Sequence, residues 1–140
     1  MAYIHVYQGA SITSGGTEGT QVSEGDSTSP ISCVLNATNN EISSNIKLAL
    51  RCDGANPPSA PNGYATTDNT VITPTGDSTS KWALSLDGVT FGAYGDPLTI
   101  TNVVNATNTI FYAKAKSISS ETPTNDVSTD LVVSCIIGAV

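Results

Sequence analysis

The feature that most constrains this chain is the run Ile46 to Cys52, I-K-L-A-L-R-C. There Ile46, Leu48, Leu50 and Cys52 alternate with Lys47, Ala49 and Arg51. A period of two sends successive side chains to opposite faces of a strand. One apolar and one polar face is the pattern of an antiparallel sheet that covers a core on one side and meets water on the other. The alternation recurs at Thr109–Ser117, where Phe111, Ala113 and Ala115 oppose Tyr112, Lys114 and Lys116. At Lys81–Leu86 it groups Trp82, Leu84 and Leu86, and at Leu131–Ile137 it groups Leu131, Val133, Cys135 and Ile137. At Ala2–Gln8 it sets Ile4 and Val6 against Tyr3, His5 and Tyr7.

Shorter runs at Ile31–Leu35, Thr70–Pro74 and Leu98–Val103 read as further strands. Asp87-Gly88 is a hairpin signal, with Val89–Tyr94 as the returning strand. The turns are Asn36–Asn45, Gly76–Ser80, Asn105–Asn108 and Thr122–Asn125. Asp53–Asn69, with Pro57-Pro58, Pro61 and Asn62-Gly63, reads as one long loop. No helical period intervenes to build parallel crossover units. The expected fold is all-β: an immunoglobulin-like antiparallel sandwich of about eight strands. Gly9–Pro30 holds few apolar anchors beyond Ile12 and Val22 and reads as a loose Gly/Ser/Thr-rich segment. The expected organisation is therefore a strand and extended arm over 1–30, then a sandwich over 31–140.

Composition agrees. Charged residues make up 12% of the 140, replaced by Ser, Thr, Asn and Gly, which disfavour helix interiors and suit strands joined by polar turns. The formal net charge is −7, and the five basic residues are Lys47, Arg51, Lys81, Lys114 and Lys116. Phosphate neutralisation needs clustered cations, so direct nucleic-acid binding is not expected, nor is attraction to an anionic membrane. Met1–Tyr7 has no basic region followed by a long apolar run, so synthesis in a cytosol without a signal peptide is expected. Leu131–Val140 is too short to span a bilayer as a helix.

Catalytic chemistry finds little to work with. His5 is the single histidine, no G-x-S-x-G elbow occurs, and no lysine is placed beside a strained serine. The chain is expected not to be an enzyme, and no cofactor or metal is expected. Asp26, Asp53, Asp68, Asp77, Asp87, Asp96 and Asp126 all fall in turns, where a carboxylate caps nearby amides. Calcium between opposed loops is the competing reading of those acids. Cys33, Cys52 and Cys135 lack C-x-x-C spacing and read as small buried hydrophobes, with a Cys33–Cys52 or Cys52–Cys135 bridge as the alternative. Asn36-Ala37-Thr38 and Asn105-Ala106-Thr107 are formal glycosylation sequons that read as turns. Tyr64 and Tyr94 are candidates for a sugar-stacking surface, whereas Trp82 shares a face with leucines and reads as core.

Three stretches carry a family resemblance: A-Y-I-H-V-Y-Q-G with G-G-T-E-G-T-Q-V-S-E-G, then K-W-A-L-S-L-D-G-V-T-F-G-A-Y-G, then T-I-F-Y-A-K-A-K-S with D-L-V-V-S-C-I-I. They resemble the small immunoglobulin-like virion proteins of tailed bacteriophages and prophages. The resemblance implies a structural protein of the virion, most specifically a capsid decoration protein on the major capsid protein. A tail or tail-tube protein, or a cell-surface carbohydrate-binding module, are the alternatives. It implies oligomerisation on the lattice, with a trimer among the states to test. Residues 1–30 would be the attachment arm, with Tyr3, His5 and Tyr7 as contact residues alongside Tyr64 and Tyr94 in the later segments.

Overall fold

A computed structural model describes residues 4–23, 31, 35–36, 40–52, 62–76, 79–118 and 129–140. It is all-β with antiparallel pairing throughout. The strands are β1 (Ile4–Gln8), β2 (Thr20–Val22), β3 (Ile46–Cys52), β4 (Tyr64–Thr66) and β5 (Thr70–Thr75). They continue as β6 (Trp82–Ser85), β7 (Leu98–Ile100), β8 (Thr109–Ala115), β9 (Asp130–Ser134) and β10 (Ile137–Ala139). One layer is a five-stranded sheet in the order β2-β1-β3-β8-β6. The facing strands form a three-stranded sheet, β7-β5-β9, and a two-stranded one, β10-β4.

The two ladders of the second layer are nearly one. β5 pairs with β9 through Val71 and Ser134, and β4 pairs with β10 through Thr66 and Ile137. Residues 67–69 bulge between them, yet the Thr67 amide still donates to the Ile136 carbonyl at 2.9 Å. This excursion re-aims the strand without breaking contact.

The core lies between the layers. Leu48, Leu50 and Cys52 of β3, Phe111 and Ala113 of β8 and Leu84 of β6 meet Ile72, Ile100 and Leu131 from the other side. The alternation read at Ile46–Cys52 and Thr109–Ser117 therefore points inward as expected. Trp82, Val133, Cys135 and Ile137 are half-buried and pack against that cluster. Cys52 is buried and both described cysteines are free thiols; Cys33 and the middle of the strand read at Ile31–Leu35, residues 32–34, lie outside the described residues.

Four expectations need correction. The arm is not loose over 4–23: β1 sits between β2 and β3, and Ile4, Val6, Ile12 and Val22 are all buried. Four well-spaced apolar anchors outweighed the polar composition, because each removes a side chain from water. Second, the long loop read at Asp53–Asn69 contains β4, which gains its partner only from the end of the chain. Third, Val89–Tyr94 forms no strand. Only the Gly92 and Gly95 amides reach the β6 edge, donating to the Leu84 and Trp82 carbonyls at 3.1 and 2.7 Å. Fourth, Leu86 is 50% exposed, since β6 ends at Ser85 and its alternation stops there.

Candidate functional site

The outer face of the five-stranded sheet gathers most of the charged and aromatic side chains of interest, and it is braced at both ends. At the β1–β3 end the guanidinium of Arg51 stacks on the Tyr7 ring, 3.4 Å from its centroid. The pairing Tyr7↔Ala49 and His5↔Arg51 places these residues on one face, and cation–ring attraction holds them there. Arg51 Nη1 also donates to the Glu18 carbonyl at 2.9 Å and to Asn108 Oδ1 at 2.7 Å. Asn108 Nδ2 donates to both the Glu18 carbonyl and Glu18 Oε2 at 3.2 Å.

The backbone completes this clamp. The Gly15 amide donates to the Asn108 carbonyl at 3.0 Å, and the Asn108 amide donates to the Gly16 carbonyl at 2.8 Å. Gly19 has φ +114°, and a side chain there would press on Tyr7 and Ile12 at 3.0 Å. Only glycine fits that approach without strain. Glu18 is exposed, and its carboxyl is held below the ordinary value by its own amide first and the Thr13 hydroxyl next.

At the β6–β8 end, residues 86–97 fold back over the sheet. Lys114 Nζ lies 4.4 Å from the Phe91 ring centroid and 5.8 Å from that of Tyr94; Lys116 Nζ lies 4.2 Å from Tyr94. The turn beneath them is built on Asp87. Its Oδ1 accepts the Val89 and Thr90 amides, both at 2.8 Å, and these bonds hold the carboxyl below its ordinary value. Ser85 Oγ donates to the Thr90 carbonyl at 2.6 Å and accepts the Gly88 amide at 3.0 Å. Gly88 has φ +76° and lies against Tyr112, while Asn45 Nδ2 donates to its carbonyl at 2.6 Å.

Of the residues singled out in the sequence, His5 and Tyr7 are together on β1, with ring centroids 6.4 Å apart and edge to face. Gln21 Nε2 lies 3.0 Å from His5 Nδ1, ready to donate where that nitrogen is unprotonated. Tyr94 stands at the other end of the same sheet, half-buried, with its hydroxyl buried and without a hydrogen-bond partner. Tyr64 is in the opposite layer, half-buried against the core. Tyr3 lies outside the described residues. The two sugar-stacking candidates, Tyr64 and Tyr94, are thus not brought onto one surface. Asp68 forms a local cap, its Oδ1 accepting the Asn69 amide at 2.7 Å. Asn105 Oδ1 accepts the Thr107 amide at 2.9 Å, so that sequon is a self-capped turn. Asp26, Asp53, Asp77 and Asp126 lie outside the described residues.

No protein-family model, curated protein or solved structure matches this chain. Among the described residues no group of three His, Cys, Asp or Glu side chains is placed to hold a metal ion, and no helix is long and apolar enough to cross a membrane.

Sequence reasoning did not select Glu18, Arg51 or Asn108 as partners. Asn108 was visible as a turn residue, and Arg51 as an outward position on β3. Their meeting depends on a contact between residues 90 apart in the chain, which no local pattern announces. Lys114 and Lys116 were legible as outward-facing, but the loop aromatic Phe91 that covers one of them was read as part of a strand.

Proposed function

We propose that this chain is a non-enzymatic structural protein of a bacteriophage particle, binding the head surface as a capsid decoration protein. The single observation that carries the reading is how the outer face uses its polar groups. Arg51, Asn108 and Glu18 pin the N-terminal segment to the sheet, and Asp87 with Ser85 fixes the opposite turn. Each group is occupied in holding chain to chain, which is what a covering module requires. The resemblance of the three sequence stretches to immunoglobulin-like virion proteins supports the same reading and suggests that family's strand arrangement.

The loops supply adhesive surface. Val89 is 84% exposed and Val103 63%. Isolated apolar side chains are ordinary on a surface, but at turn tips they are well placed to insert into a partner. The test is fractionation of purified particles into heads and tails, probed with an antibody to this chain. Recovery on heads is expected. Recovery on tails alone would favour the tail-protein alternative, and absence from particles would overturn the proposal.

A further inference from the structure

Two free thiols face the core from opposite layers. Cys52 ends β3 in the five-stranded sheet and is buried. Cys135 follows β9, is half-buried and packs against the same core cluster. One step beyond the pair Val71↔Ser134, the β5–β9 register sets Cys135 opposite Thr70, which is wholly buried. Opposed side chains share a face, so Cys135 points inward with it.

The layers converge at this end of the sandwich. Residues 104–105 stitch them together: the Cys52 amide donates to the Asn105 carbonyl at 2.7 Å, and the Thr66 amide donates to the Val104 carbonyl at 2.8 Å. The Val104 amide donates to Thr66 Oγ1 at 2.9 Å. Cys52 Sγ itself donates to the Val104 carbonyl at 3.5 Å. The sulfur and the Thr66 amide therefore meet on one oxygen, and Thr66 pairs with Ile137, two residues beyond Cys135. Burial first, and the Cys135 thiol next, push the Cys52 thiol up, so the two groups lie within electrostatic reach.

Cys135 also has room to move. It falls between β9 and β10, where the opposite strand carries the 67–69 bulge, and belongs to neither ladder. A disulfide needs Cα atoms about 4.4–6.8 Å apart, closer than the about 10 Å of ordinary stacked sheets. A residue outside both ladders can make that approach without pulling a strand out of register.

We infer that Cys52 and Cys135 are a dithiol pair that closes to a disulfide when the folded chain meets an oxidising medium, locking the two layers together. The oxidant is a small-molecule disulfide of the glutathione class. The thiolate of Cys135, the more exposed of the two, attacks one sulfur of the reagent and releases one thiol. Cys52, as thiolate, then attacks the Cys135 sulfur and releases the second. The two protein thiols lose two protons and two electrons, and the S–S bond of the reagent takes them up as two thiols. In a reducing cytosol the pair stays open; outside it closes. The bond joins residues far apart in the chain, where a crosslink most constrains the unfolded state. The inference goes beyond the structural reading above and does not depend on it.

The test uses the full chain, purified with reductant and then equilibrated with oxidised glutathione. Two of the three thiols should resist alkylation, and the mass should fall by two hydrogens. Trypsin, cutting after Arg51, Lys81 and Lys116, puts the three cysteines on separate peptides, and those holding Cys52 and Cys135 should emerge joined. The thermal midpoint should rise by about 5 °C or more and return on reduction. Cys33→Ser should keep all of this; Cys135→Ser and Cys52→Ala should each lose it. If Cys52→Ala fails to fold, Cys135→Ser, at the half-buried position, carries the comparison. A lasting glutathione adduct at Cys135 with no link would overturn the inference. So would a link through Cys33, or a Cys52–Cys135 link that leaves the midpoint unmoved.

Discussion

Removal of residues 1–23 is expected to unfold the protein rather than merely free it from a partner. The segment contributes β1 and β2 to the five-stranded sheet and buries Ile4, Val6, Ile12 and Val22, which are 5%, 2%, 1% and 7% exposed. Burying each such side chain contributes about 1.5–3 kcal/mol, so the four together contribute about 6–12 kcal/mol as an upper range. A domain of this kind has a total stability of about 5–15 kcal/mol. The truncation also strips β3 of its five-residue pairing with β1 and bares Leu48, Leu50 and Cys52 along a new edge. The assay is far-ultraviolet circular dichroism with urea titration of the shortened and full-length chains. The full chain should show one cooperative transition and the shortened chain none. A truncated protein that unfolded cooperatively, within about 2 kcal/mol of the full chain, would refute the reasoning, since the four anchors would then add little.

Other outcomes follow from the two braces. Asn108→Ala removes the acceptor for Arg51 and both bonds to Glu18, and should cost about 2–4 kcal/mol in urea unfolding, with faster amide exchange at Gly15. A loss under about 0.5 kcal/mol would dismiss the clamp as ornamental. For Asp87 the folded carboxyl titrates below its ordinary value, so its contribution is present above that value and fades as pH falls through the folded one. Exchange at Val89 and Thr90 should accelerate in that acid window while the core amides stay protected. Burial, with Cys135 nearby, pushes the Cys52 thiol up to about 11 from 9.0. A raised value favours the protonated form in the fold, so stability should decline as pH rises from about 9 to about 11. Labelling of Cys52 by a thiol reagent in the native protein at neutral pH should be slow and should become fast in denaturant.

Much of the sandwich was legible because a period of two survives in long paired strands. Ile46–Cys52 and Thr109–Ala115 pair with each other and point Leu48, Leu50 and Phe111 inward, as their alternation requires. Short strands were the weaker signal. Tyr64–Thr66 and Thr20–Val22 have three residues each and exist because a distant partner completes their hydrogen bonds. The chain bends at Asp87-Gly88, but the hairpin read there does not form: the Asp87 carboxylate captures the Val89 and Thr90 amides that a returning strand would direct elsewhere. The clamp was invisible for a different reason. Glu18, Arg51 and Asn108 are unremarkable polar residues until three separated segments are stacked together.

The segment that runs alongside β6 also governs how safely the molecule can be crowded. Two glycine amides occupy the outward carbonyls of Trp82 and Leu84, so the border that would otherwise invite a stranger's backbone is already taken. Many sheets guard such a border with lysine or proline; this one uses its own main chain. A mutation that shortened residues 86–97 would therefore bare those two carbonyls to the backbone of a neighbouring chain.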